Sequence, residues 1–338
     1  MNGRERIINV VRGLPTDCLP CMPITMLFAS DLIGARYIDY DTDHRVLAAV
    51  QLELAERFDL DHVSVISGPG VESGDCGGEV VFPNDGPPAL DEQRSLLREK
   101  VALVSLQATS PHEGARMSNR IRAVRDLVHG AGKDRLVEGW VEGPCAAAAE
   151  FRGINRLMLD FYDDPDFVRD LVTFVVDLEV AFGIAQVEAG AEIIGIGDAA
   201  ASLIGPRLYK EFIWPAAQRM VTAMHDAGAM CRLHICGNNL AVLPMAAQLG
   251  CDIIDIDAKV PMVRARQATG TGQVLCGNLD PVRCIHDGDP ETIRDAFVEC
   301  HGAAGERYIV GAGCEIPRGT PLANFQAIVD FARGRKGP

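Results

Sequence analysis

Short apolar runs alternate with longer amphipathic stretches along the whole chain. The runs end near Met26, Ile66, Glu142, Ile196, Ile235, Asp257, Gly277 and Val310. Short continuous runs of this kind, spaced by helical patterns, read as strands buried on both faces. The stretches 44–58, 115–129, 165–189, 206–227, 240–249, 290–300 and 321–333 read as helices. Pro165, Pro206, Pro290 and Pro321 fall at first helical positions, where the missing N–H costs nothing. Strand and helix in alternation imply βαβ units and a parallel sheet. About eight such units predict one (β/α)8 barrel over residues 1–338. The alternative is a doubly wound open sheet. No GxGxxG or GxxxxGK[ST] follows a strand, so nothing favours nucleotide binding on such a sheet. Residues 77–88, GGEVVFPNDGPP, hold a short strand between turn residues and predict an inserted hairpin.

Charge narrows the partners. The net charge is −15 and the pI about 5.0. That argues against nucleic acid held through phosphates and against an anionic membrane surface. No run reaches the ~18 apolar residues that a bilayer needs. The start, MNGRERIINVVRG, lacks an apolar segment of signal length, so the expected location is cytoplasmic. The 11 cysteines should then be reduced, and each is either packing or a ligand.

In a barrel, chemistry sits at the C-terminal strand ends. Those ends carry Glu142, Asp198, His234, Cys236, Asp257, Asn278, Asp280 and Cys314. His234 and Cys236 are two apart, so on a strand they face the same side. Cys314 ends the last run, YIVGAGC, and faces the same mouth. One imidazole and two thiolates suit Zn²⁺, and three protein ligands leave a fourth position open. The competing reading is inert packing, but glycines in CGNN and GAGCE favour close backbone approach over a packed strand interior. Cys231 and Cys251 begin strands, and Cys145, Cys284 and Cys300 lie in helical stretches; packing is their expected role. Asp163 and Asp164 precede Pro165 and read as helix caps.

Several segments resemble the uroporphyrinogen decarboxylase superfamily: Cys276–Pro281 (CGNLDP), Gly197–Ala200 (GDAA) and Pro206–Phe212 (PRLYKEF), while residues 74–88 resemble the loop of its methyltransferase branch. The resemblance covers essentially the whole chain and implies a (β/α)8 barrel. The decarboxylases carry arginines in an N-terminal segment resembling MRQAGR. Residues 22–30 here, MPITMLFAS, have none, and a polycarboxylate would meet repulsion.

The other branch resembles methylcobamide:coenzyme M and related corrinoid-dependent methyltransferases. Its zinc pattern, H-x-C followed by a distant C, matches His234, Cys236 and Cys314. The resemblance implies a zinc-dependent enzyme moving a methyl group between a corrinoid and a thiol or small methylated substrate. Demethylation of an ether or amine donor, or a decarboxylase reaction, are the alternatives. No D-x-H-x-x-G corrinoid motif is present, so methylcobamide should arrive on a separate corrinoid protein at a partly apolar rim. Glu142 or Asp198 is the expected fourth zinc ligand, displaced by substrate. Asp257 is the expected partner of His234. Asn278 is a candidate cofactor contact, though it and Asp280 sit in a turn that also reads as structural.

Overall fold

The computed structural model of the chain describes residues 1–83 and 86–335. Nine strands are named in chain order: β1 (His62–Ser64), β2 (Val80–Val81), β3 (Ala89–Leu90), β4 (Leu136–Glu142), β5 (Ile193–Gly197), β6 (Met230–His234), β7 (Ile253–Ile256), β8 (Val274–Gly277) and β9 (Tyr308–Ile309). Seven of them form one parallel sheet in the order β1-β4-β5-β6-β7-β8-β9. The first apolar run adds only a bridge, Cys21 beside Val310. Between this run and β1 the ring is joined by a side chain: Asp61 accepts the Cys21 amide at 2.7 Å. Asp61 also pairs with Arg6 at 2.9 Å and Arg333 at 3.0 Å. The predicted barrel plan therefore holds, with its first strand reduced to a stub.

Strand periodicity sorts the barrel interior into layers. Leu136, Ile193, Ile253, Val274 and Ile309 form an apolar floor with Ile7 and Val10 from the helix Gly3–Arg12. That helix was not foreseen. It starts with a capping box, Asn2 with Glu5, and lies under the sheet. One layer higher is charged: Glu138, Arg232 and Asp255 are all buried. The top of the strands carries Glu142, Gly197 and His234, which the register places side by side. The Trp140 ring lies against Gly195 and Gly197, where any Cβ would collide with it.

Other expectations are adjusted. The stretch 206–227 is broken into Gly205–Leu208, a π-helical turn Tyr209–Ile213, and Trp214–Asp226. Pro215 follows the break and cannot donate to a continuous ladder. The stretch 240–249 shrinks to Leu243–Leu249, with Pro244 in its first turn. The inserted hairpin pairs β2 with β3, so its second strand lies just past residue 88; Asn84 and Asp85 fall outside the described residues. Asp164 does cap the helix Pro165–Glu188, accepting from the Phe167 amide at 3.3 Å. Among the described residues, no helix is long and apolar enough to cross a membrane.

Candidate metal centre

β6 delivers His234 at its last residue, and the chain turns immediately after Cys236. Gly237 makes this turn with φ of +86°, a left-handed conformation that favours glycine. Its amide donates to Asp257 Oδ2 at 2.7 Å, while the Lys259 amide donates to Oδ1 at 2.8 Å. Cys314 is pinned from two sides. Gly313 N donates to Leu279 O at 2.8 Å, and Ile316 N donates to Ile24 O at 2.9 Å.

These anchors bring three ligand atoms together. His234 Nε2 lies 3.0 Å from Cys236 Sγ and 3.7 Å from Cys314 Sγ, and the two sulfurs are 3.8 Å apart. All lie within 4.8 Å of one another, and no other group of three or more His, Cys, Asp or Glu among the described residues does so. One nitrogen and two sulfurs at this spacing can surround a single tetrahedral ion. The site is half-open, since His234 is buried while Cys236 and Cys314 are partly exposed.

Asp255 is the partner of His234, not Asp257. The register puts Asp255 directly across from His234 on β7, and its Oδ2 lies 3.0 Å from Nδ1. A carboxylate on Nδ1 leaves Nε2 to face the sulfurs. Asp255 is itself held by Arg232 Nε at 2.9 Å, and Arg232 Nη1 reaches Glu138 at 3.1 Å. Burial opposes charge on His234, but Asp255 and Cys314 outweigh it and raise its pKa to about 10. A hydrogen bond from Cys236, followed by His234, brings Cys314 down to about 4 against burial, and the same bond raises Cys236. One thiolate is thus stabilised by the protein itself. Asp255→Asn should lower zinc affinity about 10–100-fold. Competition with a chromophoric chelator measures this, and unchanged affinity would remove Asp255 from the account.

The remaining candidates separate. Asp198 turns to the helix Pro144–Arg152 and accepts the Ala146 amide at 2.8 Å, so its carboxylate stabilises that helix start instead of joining the sulfurs. Burial raises its pKa to about 7. Glu142 also stays outside the three-atom group and lines a cavity of about 440 Å³ beside it. Asp257 holds the Cys236–Gly237 turn. Asn278 is spent on structure: its Nδ2 donates to Asp257 O at 3.2 Å and Val260 O at 2.6 Å, tying two loops together. Asp280 caps the turn after it through the Val282 and Arg283 amides.

The chain matches the family model described as uroporphyrinogen decarboxylase (URO-D) over residues 2–335. It belongs to the uroporphyrinogen decarboxylase family. Within the family it is 28% identical, over 98% of this chain and 97% of the relative, to the methylcobamide:CoM methyltransferase MtbA of Methanosarcina mazei. It is 23% identical to MtaA of Methanosarcina barkeri, another methylcobamide:CoM methyltransferase, over 96% of each. The uroporphyrinogen decarboxylase of Frankia casuarinae is 24% identical over 89% of this chain and 81% of that enzyme. Among solved structures, a methyltransferase from Methanosarcina mazei superposes with a TM-score of 0.85 over 99% of this chain and 98% of that one, at 22% identity. A B12-independent methionine synthase from Shewanella sp. W3-18-1 gives 0.58 at 13% identity, over 94% and 95% of the two chains.

Several buried charges near the site are not marked by the sequence pattern. Arg232 and Glu138 were read as parts of apolar runs, although a charge inside a buried strand was a visible signal. Glu72, Glu150 and Glu179 were missed because helical glutamates ordinarily face water. Here Glu72 and Glu179 are buried, and Glu150 lines the cavity with Glu142.

Proposed function

We propose that the protein is a zinc-dependent methyltransferase moving a methyl group between a corrinoid carried on a separate protein and a small thiol. The observation that carries this is the convergence of His234 Nε2, Cys236 Sγ and Cys314 Sγ within 4.8 Å at the barrel mouth. The methyltransferase relatives of nearly full coverage support it. So does the absence of an arginine in residues 22–30, where a porphyrinogen decarboxylase needs cations.

His234, Cys236 and Cys314 would hold a zinc ion, which would lower the pKa of a bound thiol and keep its sulfur nucleophilic. The protein supplies the rest. Asp255 fixes which His234 nitrogen faces the ion. Asp257 fixes the turn that presents Cys236. In the transfer, a sulfur lone pair would form the new S–CH3 bond, and the electron pair of the broken methyl–cobalt bond would stay with the corrinoid. The thiol proton has already left to solvent.

The proposal is tested with zinc-loaded protein, methylcobalamin and a panel of thiols. Expected are zinc-dependent loss of methylcobalamin absorbance and about one proton released on thiol binding near neutral pH. Uroporphyrinogen should not be converted to coproporphyrinogen. Robust decarboxylation, or no transfer to any thiol, would contradict the proposal.

A further inference from the structure

Four glutamates converge beside the metal centre from four elements. Glu72 comes from the helix Val71–Asp75, Glu142 from the end of β4, Glu150 from the helix Pro144–Arg152, and Glu179 from the helix Pro165–Glu188. Among the described residues none of them forms a salt bridge. The nearest cations, Arg116 and Arg120, are engaged by Asp41 at 2.6 and 2.8 Å. Glu179 is fully buried; its Oε2 accepts the Glu142 amide at 3.2 Å, and its Oε1 has no hydrogen-bond partner. Glu72 and Glu179 face each other and share a hydrogen bond, and Glu150 accepts from Gly70 N at 3.0 Å and Ser73 Oγ at 3.1 Å, yet the four carboxyls have no cation of their own.

Two of the four, Glu142 and Glu150, line the cavity of about 440 Å³. Its charged lining is Glu79, Asp91, Glu92, Glu142 and Glu150 against a single cation, Arg94. Arg94 is occupied by Glu79 at 2.5 Å and Asp91 at 2.8 Å. Leu90, Leu96, Ile154 and Leu203 make much of the rest apolar. The cavity adjoins the metal turn, since Ser202, next to the lining residue Leu203, lies beside Gly237. A bare metal ion does not fit the glutamates, because their oxygens form no three-membered group within 4.8 Å. The acidic and apolar lining suits a larger cation with an apolar body. Burial, followed by Glu72, pushes the Glu150 carboxyl up to about 7, against the opposing hydrogen bonds of Gly70 and Ser73 and the charge of Arg116.

We infer that the thiol substrate carries a protonated amine, held by Glu142 and Glu150 in this cavity while its sulfur reaches the His234–Cys236–Cys314 group. This rests on the zinc–thiol reading above and names the substrate class. An anionic sulfonate thiol would meet five acidic side chains and one arginine that two of them already engage.

Two-carbon thiols differing only in charge test it: cysteamine, 2-mercaptoethanol and 2-mercaptoethanesulfonate, followed by their three-carbon homologues. Titration calorimetry on zinc-loaded protein should give cysteamine or its homologue at least about tenfold tighter binding than the sulfonate, with the alcohol between. In Glu142→Gln, Glu150→Gln the spread should fall to about threefold or less, while mercaptoethanol binds as before. Equal mercaptoethanol binding shows that the sulfur site and fold survive the substitutions. An aminothiol that binds no better than the alcohol, or a spread unchanged in the double variant, overturns the inference. If no thiol binds, the zinc–thiol reading fails separately, and butylammonium decides. Butylammonium binding to the wild type and not to the variant keeps the cation site, and no binding removes it.

Discussion

Cys236→Ala, Cys314→Ala should abolish stoichiometric zinc and reduce methyl transfer to thiols by at least about 10²-fold. The two sulfurs sit 3.8 Å apart with His234 Nε2 within 3.7 Å of both. Removing them leaves one imidazole, which cannot hold a tetrahedral ion against buffer. A free thiol of pKa ~8.5 is only ~3% ionised at pH 7, so the lost activation alone accounts for about 30-fold. Loss of positioning accounts for the remainder. The fold should persist, because neither cysteine is in the buried core. Metal analysis, a methylcobalamin–thiol transfer assay and far-UV circular dichroism check the three points. A folded double variant retaining one zinc per chain would place the metal elsewhere.

Arg232→Met should cost about 3–5 kcal/mol of stability, lowering Tm by about 5 °C in a chain of this length. Arg232 is 1% exposed and spans the barrel interior between Glu138, at 3.1 Å, and Asp255, at 2.9 Å. Truncation leaves two carboxylates buried without their cation. The His234 partner Asp255 is then freed to shift, so zinc affinity should fall in the same variant. Arg219→Met, at a half-exposed pair with Asp177, is the control and should barely move Tm. Thermal unfolding of the three proteins decides this, and equal Tm values would mean the interior network contributes nothing.

The barrel was legible because its strands are short apolar runs between amphipathic helices, and seven of the eight runs became strands. The eighth, ending near Met26, reads like the others but forms a single bridge, since a side chain of Asp61 takes over at the seam. His234, Cys236 and Cys314 were legible because ligand chemistry needs particular residue types at strand ends. The choice between Asp255 and Asp257 was not, because both lie in DIID-ID at the same strand parity and only cross-strand register separates them. Asp198 and Asn278 looked reactive from their positions, yet spend their polar atoms on backbone groups of neighbouring loops. Of the glutamate cluster only Glu142, at a strand end, stood out; its partners come from three separated helices, and no local pattern marks a helix glutamate as buried.

X-ray absorption at the zinc edge, before and after addition of a thiol substrate, tests the central claim most directly. The resting protein should show two sulfur ligands at ~2.3 Å and nitrogen at ~2.0–2.1 Å, with any remaining position filled by a light atom. With thiol bound, the count should rise to three sulfurs. A spectrum that stays at two sulfurs with every thiol tested, or a zinc shell without sulfur, would contradict the account.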